Sequence, residues 1–139
     1  MVIAGKSAGG GSSSGGKANS TSTVEEVAAQ TIKVLKENVP ANLAGVVFLS
    51  GGQGDEQATE HLNAMNKSGP STMLGASKLP WPLSFSYSRA IQNPVLKLWA
   101  ANPSLNVAKA QETLLFRSKM NSLASQGKYS DEMEKTRSY

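Results

Sequence analysis

The chain has 139 residues, 39% of them apolar, enough for one ordinary domain with its own core. Its net charge is +4, but lysine and arginine are scattered along solvated faces, without the clusters and interleaved aromatics of a nucleic-acid surface. It has no cysteine and one histidine, His61, so disulfides, thiolate or multi-histidine metal sites and cysteine nucleophiles are excluded. No stretch approaches the about 18 continuous apolar residues of a membrane-spanning helix.

Residues 1–22, "MVIAGKSAGGGSSSGGKANSTS", are rich in serine and glycine and contain no acid. They lack the arginines and amphipathic pattern of an organelle transit peptide and the apolar core of a secretory signal. A flexible Gly/Ser segment is expected.

The composition changes at Thr23. Thr23-Val-Glu-Glu26 is a capping box, followed by an apolar stripe of Val24, Val27, Ala28, Ile32 and Leu35. The helix should stop near Asn38, because Val39 precedes Pro40. Residues 44–50, "AGVVFLS", contain four consecutive large apolar residues. That pattern predicts a strand buried on both faces, as in a parallel sheet covered by helices. A second helix is predicted over residues 55–67, with Asp55 and Glu56 at its positive end and Ala58, Leu62 and Met65 on one face. The loop 68–80 leads to an alternating strand over 81–88.

Helical signal resumes at Arg89, with Pro94 a kink or restart. A longer helix should run from residue 105 or 106 to Ser125, with Val107, Ala110, Leu114, Leu115, Met120 and Leu123 as its apolar set and Gly127 at its C-terminal cap. The polar residues 128–139 read as a mobile tail. The organisation expected is thus a flexible segment (1–22), an α/β domain (23–127) and a tail (128–139). Two strands alternating with helices imply parallel β/α units. Two strands alone leave both sheet edges open, so the chain reads as the last part of a larger α/β protein.

Both strands end in the same design. Ser50-Gly51-Gly52 precedes one helix, and Ser86-Tyr87-Ser88-Arg89 opens the next. Helix N-termini present unpaired amides and partial positive charge, glycine admits an anion to the backbone, and an arginine fork suits phosphate. In (β/α)8 barrels the loops after the seventh and eighth strands commonly hold phosphate. "SGG" alone is more often just a tight turn, and the second β/α unit with Arg89 brings the phosphate reading level with it. His61, beside Glu60, reads as solvated. Glu25, Glu26, Asp55 and Glu56 are accounted for by capping and helix dipoles, and Trp81 and Trp99 by packing. Lys33, Lys36, Lys67, Lys78 and Lys97 fall on helix surfaces or loops, so none sits in an apolar strand where Schiff-base chemistry is favoured.

The stretches "GVVFLSGGQ", "QATEHLNAMN", "WPLSFSYSRAIQ" and "VLKLWAANPSLNVAKAQETLLFRSKMNSLASQGKY", with the terminal Tyr139, resemble class I fructose-1,6-bisphosphate aldolases over residues 23–139. The resemblance implies the C-terminal portion of a (β/α)8 barrel, about strands seven and eight. It implies reversible cleavage of fructose 1,6-bisphosphate to dihydroxyacetone phosphate and glyceraldehyde 3-phosphate, in glycolysis, gluconeogenesis or the Calvin cycle, with no metal and no cofactor. It assigns a substrate phosphate to Ser50, Gly51 and Arg89, with Gly52 and Ser88 beside them, and proton transfer to Tyr139.

The family's Schiff-base lysine corresponds to a position upstream of Met1, and Lys6 is not in a predicted strand. The 139-residue chain is therefore expected to bind a sugar bisphosphate but not to cleave it. The alternatives are a non-catalytic phosphate-binding or assembly remnant and a chain that does not fold alone. Family members are homotetramers, and the plastid-type wording implies a chloroplast or cytoplasmic location. Neither nucleic acid nor membrane is an expected partner.

Overall fold

Thr23 starts the first helix by the mechanism its spacing predicts. Its hydroxyl accepts the Glu26 amide at 3.2 Å, and the Glu26 carboxylate accepts the Thr23 amide at 2.9 Å. Helix α1 (Val24–Asn38) ends where Val39 turns to extended backbone before Pro40. The computed structural model describes residues 2–4, 22–67 and 79–137. In chain order the elements are β1 (Val2–Ala4), α1, β2 (Val46–Leu49), α2 (Asp55–Lys67), β3 (Leu83–Phe85), α3 (Arg89–Ala101), α4 (Val107–Ala124) and a short 3₁₀ helix (Asp131–Thr136).

The sheet is parallel, in the order β1-β2-β3. Val46 pairs with Leu83 and Phe48 with Phe85 on one side, and Val2 pairs with Val47 and Ala4 with Leu49 on the other. The strand at Val2–Ala4 corrects the reading of residues 1–22 as one flexible segment and of the sheet as two-stranded. Three residues running into glycine carry too little local pattern to announce a strand. Their pairing to β2 selects it. Residues 5–21 lie outside the described residues.

Helices α1 and α2 pack on the face of β2 that carries Val46 and Phe48, and Ala28, Ile32, Leu35, Leu62 and Met65 fill the space between. The opposite face is not covered among the described residues: Val47 is half-buried and Leu49 is 39% exposed. The expectation of burial on both faces therefore holds for one face only. Trp81 is buried and donates its indole N–H to Pro40 O at 2.8 Å. Trp99 is 47% exposed on α3 and lines an apolar groove with Val95, Val107, Ala110 and Leu114. Pro94 sits inside a continuous α3.

Helix α4 departs most from expectation. Val107, Leu114 and Leu115 are exposed, and the buried stripe is Ala110, Thr113, Arg117, Met120, Asn121 and Ala124. Large apolar residues lie all round this helix, so they do not single out a face. What does so is a polar set that pairs with α2. The helix ends in a Schellman motif: Gly127, at φ 69°, donates to Ala124 O, and Lys128 donates to Leu123 O. A Cβ at Gly127 would come within 3.3 Å of backbone atoms of Asn66 and Lys67, so the cap is also a close approach to the end of α2.

Residues 128–137 are not a free tail. Tyr129 is buried and exchanges two hydrogen bonds with the Asn63 side chain, at 3.0 and 3.1 Å. Arg117, fully buried, donates to both carboxylate oxygens of Glu134. A buried arginine requires a compensating carboxylate, and here the 3₁₀ helix supplies it. Charge and polarity alone had suggested a tail because the cation that orders this segment lies on another helix.

Candidate phosphate site

At the end of β2 the backbone reverses within four residues. Gln53 N donates to Ser50 O at 2.9 Å, and the two residues between, Gly51 and Gly52, have φ of 59° and 92°. Two consecutive positive φ values are the requirement of a type I′ turn, and glycine meets it without strain. Ser50 is buried at the strand end. Helix α2 starts directly after the turn, with Ala58 N bonded to Gly54 O.

The neighbouring strand end is held to the first. Ser86 N donates to Phe48 O at 2.8 Å, continuing the ladder past β3, and the Tyr87 hydroxyl donates to Ala58 O on α2 at 2.8 Å. Burial pushes the Tyr87 hydroxyl above the usual tyrosine range, so it stays a donor. Ser88 caps α3 through its carbonyl, which accepts Ile91 N and Gln92 N, while its hydroxyl donates to Gln92 Oε1 at 3.2 Å. Arg89 is the first residue of α3 and is exposed.

These attachments bring the two turns together. A Cβ built on Gly52 would lie 3.8 Å from Arg89 Nη2 and 3.9 Å from Nη1. The guanidinium thus stands over the glycine turn, with glycine leaving the space between open. Of the residues singled out from sequence, Ser50, Gly51, Gly52, Ser88 and Arg89 fall on this pair of adjacent turns. Tyr139 lies outside the described residues.

Two contributors were missed by sequence reasoning. His61 is not solvated. It is half-buried, and its Nδ1 donates to Gln53 Oε1 at 2.6 Å. Burial lowers its pKa, so the neutral ring is favoured. With Thr31, Phe48, Met65 and Tyr87, the pair lines a cavity of about 60 Å³ behind the turn. Gln53 was a spacer by pattern, and only its position one residue after the glycines hinted that it fixes the turn. Among the described residues no group of histidine and carboxylate side chains could hold a metal ion, and no helix is long and apolar enough to cross a membrane.

The fructose-bisphosphate aldolase class-I family profile matches residues 12–139. A probable fructose-bisphosphate aldolase class 1 of Xanthomonas axonopodis pv. citri is 49% identical over 129 residues, covering 93% of this chain and 33% of that protein. The chloroplastic fructose-bisphosphate aldolase 2 of Arabidopsis thaliana is 48% identical over 120 residues, covering 86% and 28%. The fructose-bisphosphate aldolase of Plasmodium falciparum superposes with a TM-score of 0.71 at 46% identity, covering 81% of this chain and 30% of that one. The chain spans about a third of the length of the relatives it matches. With the match running through both glycine and arginine turns, this chain belongs to the class-I fructose-bisphosphate aldolase family.

Proposed function

We propose that this chain carries the phosphate-binding corner of a class-I aldolase, built from about the seventh and eighth strands of a (β/α)8 barrel. Ser50, Gly51, Gly52, Ser88 and Arg89 hold one phosphate of fructose 1,6-bisphosphate. The observation that supports this most is the approach of the Arg89 guanidinium to Gly52, which sets one exposed cation beside the glycine turn of the neighbouring β/α unit. Aldol cleavage through a Schiff base requires a lysine kept neutral by an apolar pocket or a neighbouring cation, and in this reading no lysine of the 139 residues supplies it. Tyr139 takes the proton-transfer role of the family's terminal tyrosine, and the homotetramer and the chloroplast or cytoplasmic location follow the resemblance.

Borohydride trapping with dihydroxyacetone phosphate tests the assignment. The 139-residue chain should bind the sugar phosphate but yield no covalent adduct. A stable adduct on any of its lysines sinks the reading.

One observation favours a second reading, a non-catalytic assembly piece. Among the described residues β1 and β3 are sheet edges, and the Leu49 face of β2 is open. A complementary part of an aldolase barrel would cover both. Restored cleavage on mixing the chain with the first two-thirds of a relative supports it, and no association in sedimentation excludes it.

A further inference from the structure

One charged cluster has no part in the site just described, although it abuts it. Arg137, past the end of the 3₁₀ helix, reaches back to the first two residues of α2. Its Nη2 lies 2.7 Å from Asp55 Oδ2 and its Nη1 2.8 Å from Glu56 Oε1. Arg117 approaches the same helical turn from α4. Its Nη2 donates to Asp55 O at 3.1 Å and to Thr59 Oγ1 at 2.7 Å, and its Nε lies 3.9 Å from Asp55 Oδ2. Glu134 closes the circuit, 2.7 Å from Arg117 Nη1 and 3.2 Å from Arg137 Nε. Arg117, Asp55, Arg137 and Glu134 therefore alternate in sign round a closed ring that ties the strap of residues 128–137 to the N-terminus of α2.

Asp55 follows the glycine turn with only Gln53 and Gly54 between. Carboxylates at a helix N-terminus suit the dipole, but beside an anion site they repel the ligand. Arg137 neutralises Asp55 and Glu56 and pins the turn of helix from which the Ser50–Gln53 reversal hangs. Among these five groups the formal charge is −1, and removal of Arg137 makes it −2. We propose that Arg137 is a positioning residue for the phosphate site: through Asp55 and Glu56 it fixes the start of α2 and screens its carboxylates, so that the Ser50–Gly52 turn and Arg89 accept an anion. This rests on the phosphate assignment made above, and it adds a dependence of that site on the C-terminal strap.

The test uses the 139-residue chain labelled with ¹⁵N-glycine and titrated with fructose 1,6-bisphosphate. In the unsubstituted chain the Gly51 and Gly52 amides should move with ligand, and Arg89→Gln should abolish the movement. Arg137→Gln should displace the Gly51, Gly52 and Gly54 amides before any ligand is added and raise the dissociation constant about five-fold or more, within the usual range of coupling between sites. Arg137→Lys should recover part of the affinity, because it keeps the charge and loses the fork. Arg137→Gln with unsubstituted amide positions and unsubstituted affinity overturns the inference.

If the glycines of the unsubstituted chain ignore the ligand, the phosphate assignment fails. The ligand-free displacement then decides the mechanical link by itself: displaced amides uphold it and undisplaced amides overturn it. Near-UV dichroism of buried Trp81 reports folding. Should Arg137→Gln lose that signal, Arg137→Lys carries the same two readouts.

Discussion

Arg117 and Glu134 form a forked ion pair, with Nη1 2.7 and 2.8 Å from the two carboxylate oxygens and the arginine side chain fully buried. It joins α4 to a 3₁₀ helix 17 residues further along the chain. The pair is a poor source of net stability, because desolvation offsets most of the attraction, but breaking one side is costly. Arg117→Met should therefore lower unfolding free energy by about 3–5 kcal/mol in urea titration. Glu134 also meets Arg137 Nε at 3.2 Å and accepts from the Tyr129 hydroxyl at 3.0 Å, so the double variant Arg117→Met/Glu134→Leu should be less destabilised than the sum of the two single variants. A double variant equal to that sum contradicts this account.

Gly52→Ala separates backbone strain from steric contact. The added methyl meets the Arg89 guanidinium at an ordinary 3.8 Å, so there is no clash. The cost comes from φ of 92°, on the order of 1–2 kcal/mol for a residue with a Cβ. The same methyl fills the space between turn and guanidinium, and fructose 1,6-bisphosphate should bind about ten-fold more weakly, as for one lost charged hydrogen bond. Calorimetric titration with melting curves measures both, and unchanged affinity in a folded Gly52→Ala chain argues against an anion at this turn.

His61 predicts acid sensitivity. Its folded-state pKa lies below the unfolded value of about 6.5 because burial disfavours the cation. The unfolded chain therefore binds more protons as pH falls through this region, and stability declines below about pH 6.5. His61→Gln, which keeps a donor for Gln53, should flatten the dependence of the melting temperature on pH between about 6.5 and 5. An equally steep decline in the variant would place the titration elsewhere.

Glu60 has the opposite sign. Burial, then the nearby carboxylates of Asp131, Glu56, Glu134 and Glu25, raises its pKa. An acid raised on folding is relatively stabilising when protonated and loses that contribution as pH rises through its folded value. Glu60→Gln should raise the melting temperature at pH 7 and have little effect near pH 4. A lower melting temperature at pH 7 would show that Glu60 has a cationic partner in solution.

The parts of the fold set by short-range rules were legible in the sequence. The capping box placed the start of α1, the Val39–Pro40 step its end, and the acidic pair Asp55 and Glu56 the start of α2. Gly127 after the last apolar residues marks the C-terminal cap of α4. The turn at Ser50–Gly52 and the helix start at Ser88–Arg89 were legible as well, from glycines that end one strand and a serine and arginine that open the next helix.

What was hidden depends on partners distant in the chain. Val2–Ala4 pairs along Val47–Leu49 on the neighbouring strand, and half-buried His61 meets Gln53 beside Thr31, Phe48, Met65 and Tyr87. Leu114 and Leu115 fit a core stripe by pattern, but the residues of α4 that bond to α2 are Arg117 and Asn121. No local pattern separates an arginine that caps a buried network from one that is solvated.

The contact between Arg137 and Asp55 spans 82 residues. Closing so long a loop is entropically costly, whereas α1, β2 and α2 join near neighbours in sequence. The strap is therefore expected to dock late in folding, with this contact formed after the transition state. Contacts of that kind leave the folding rate nearly unchanged and slow unfolding. Residues 128–137 would then act as a kinetic latch, and Arg137→Gln should speed unfolding while leaving the folding rate nearly unchanged.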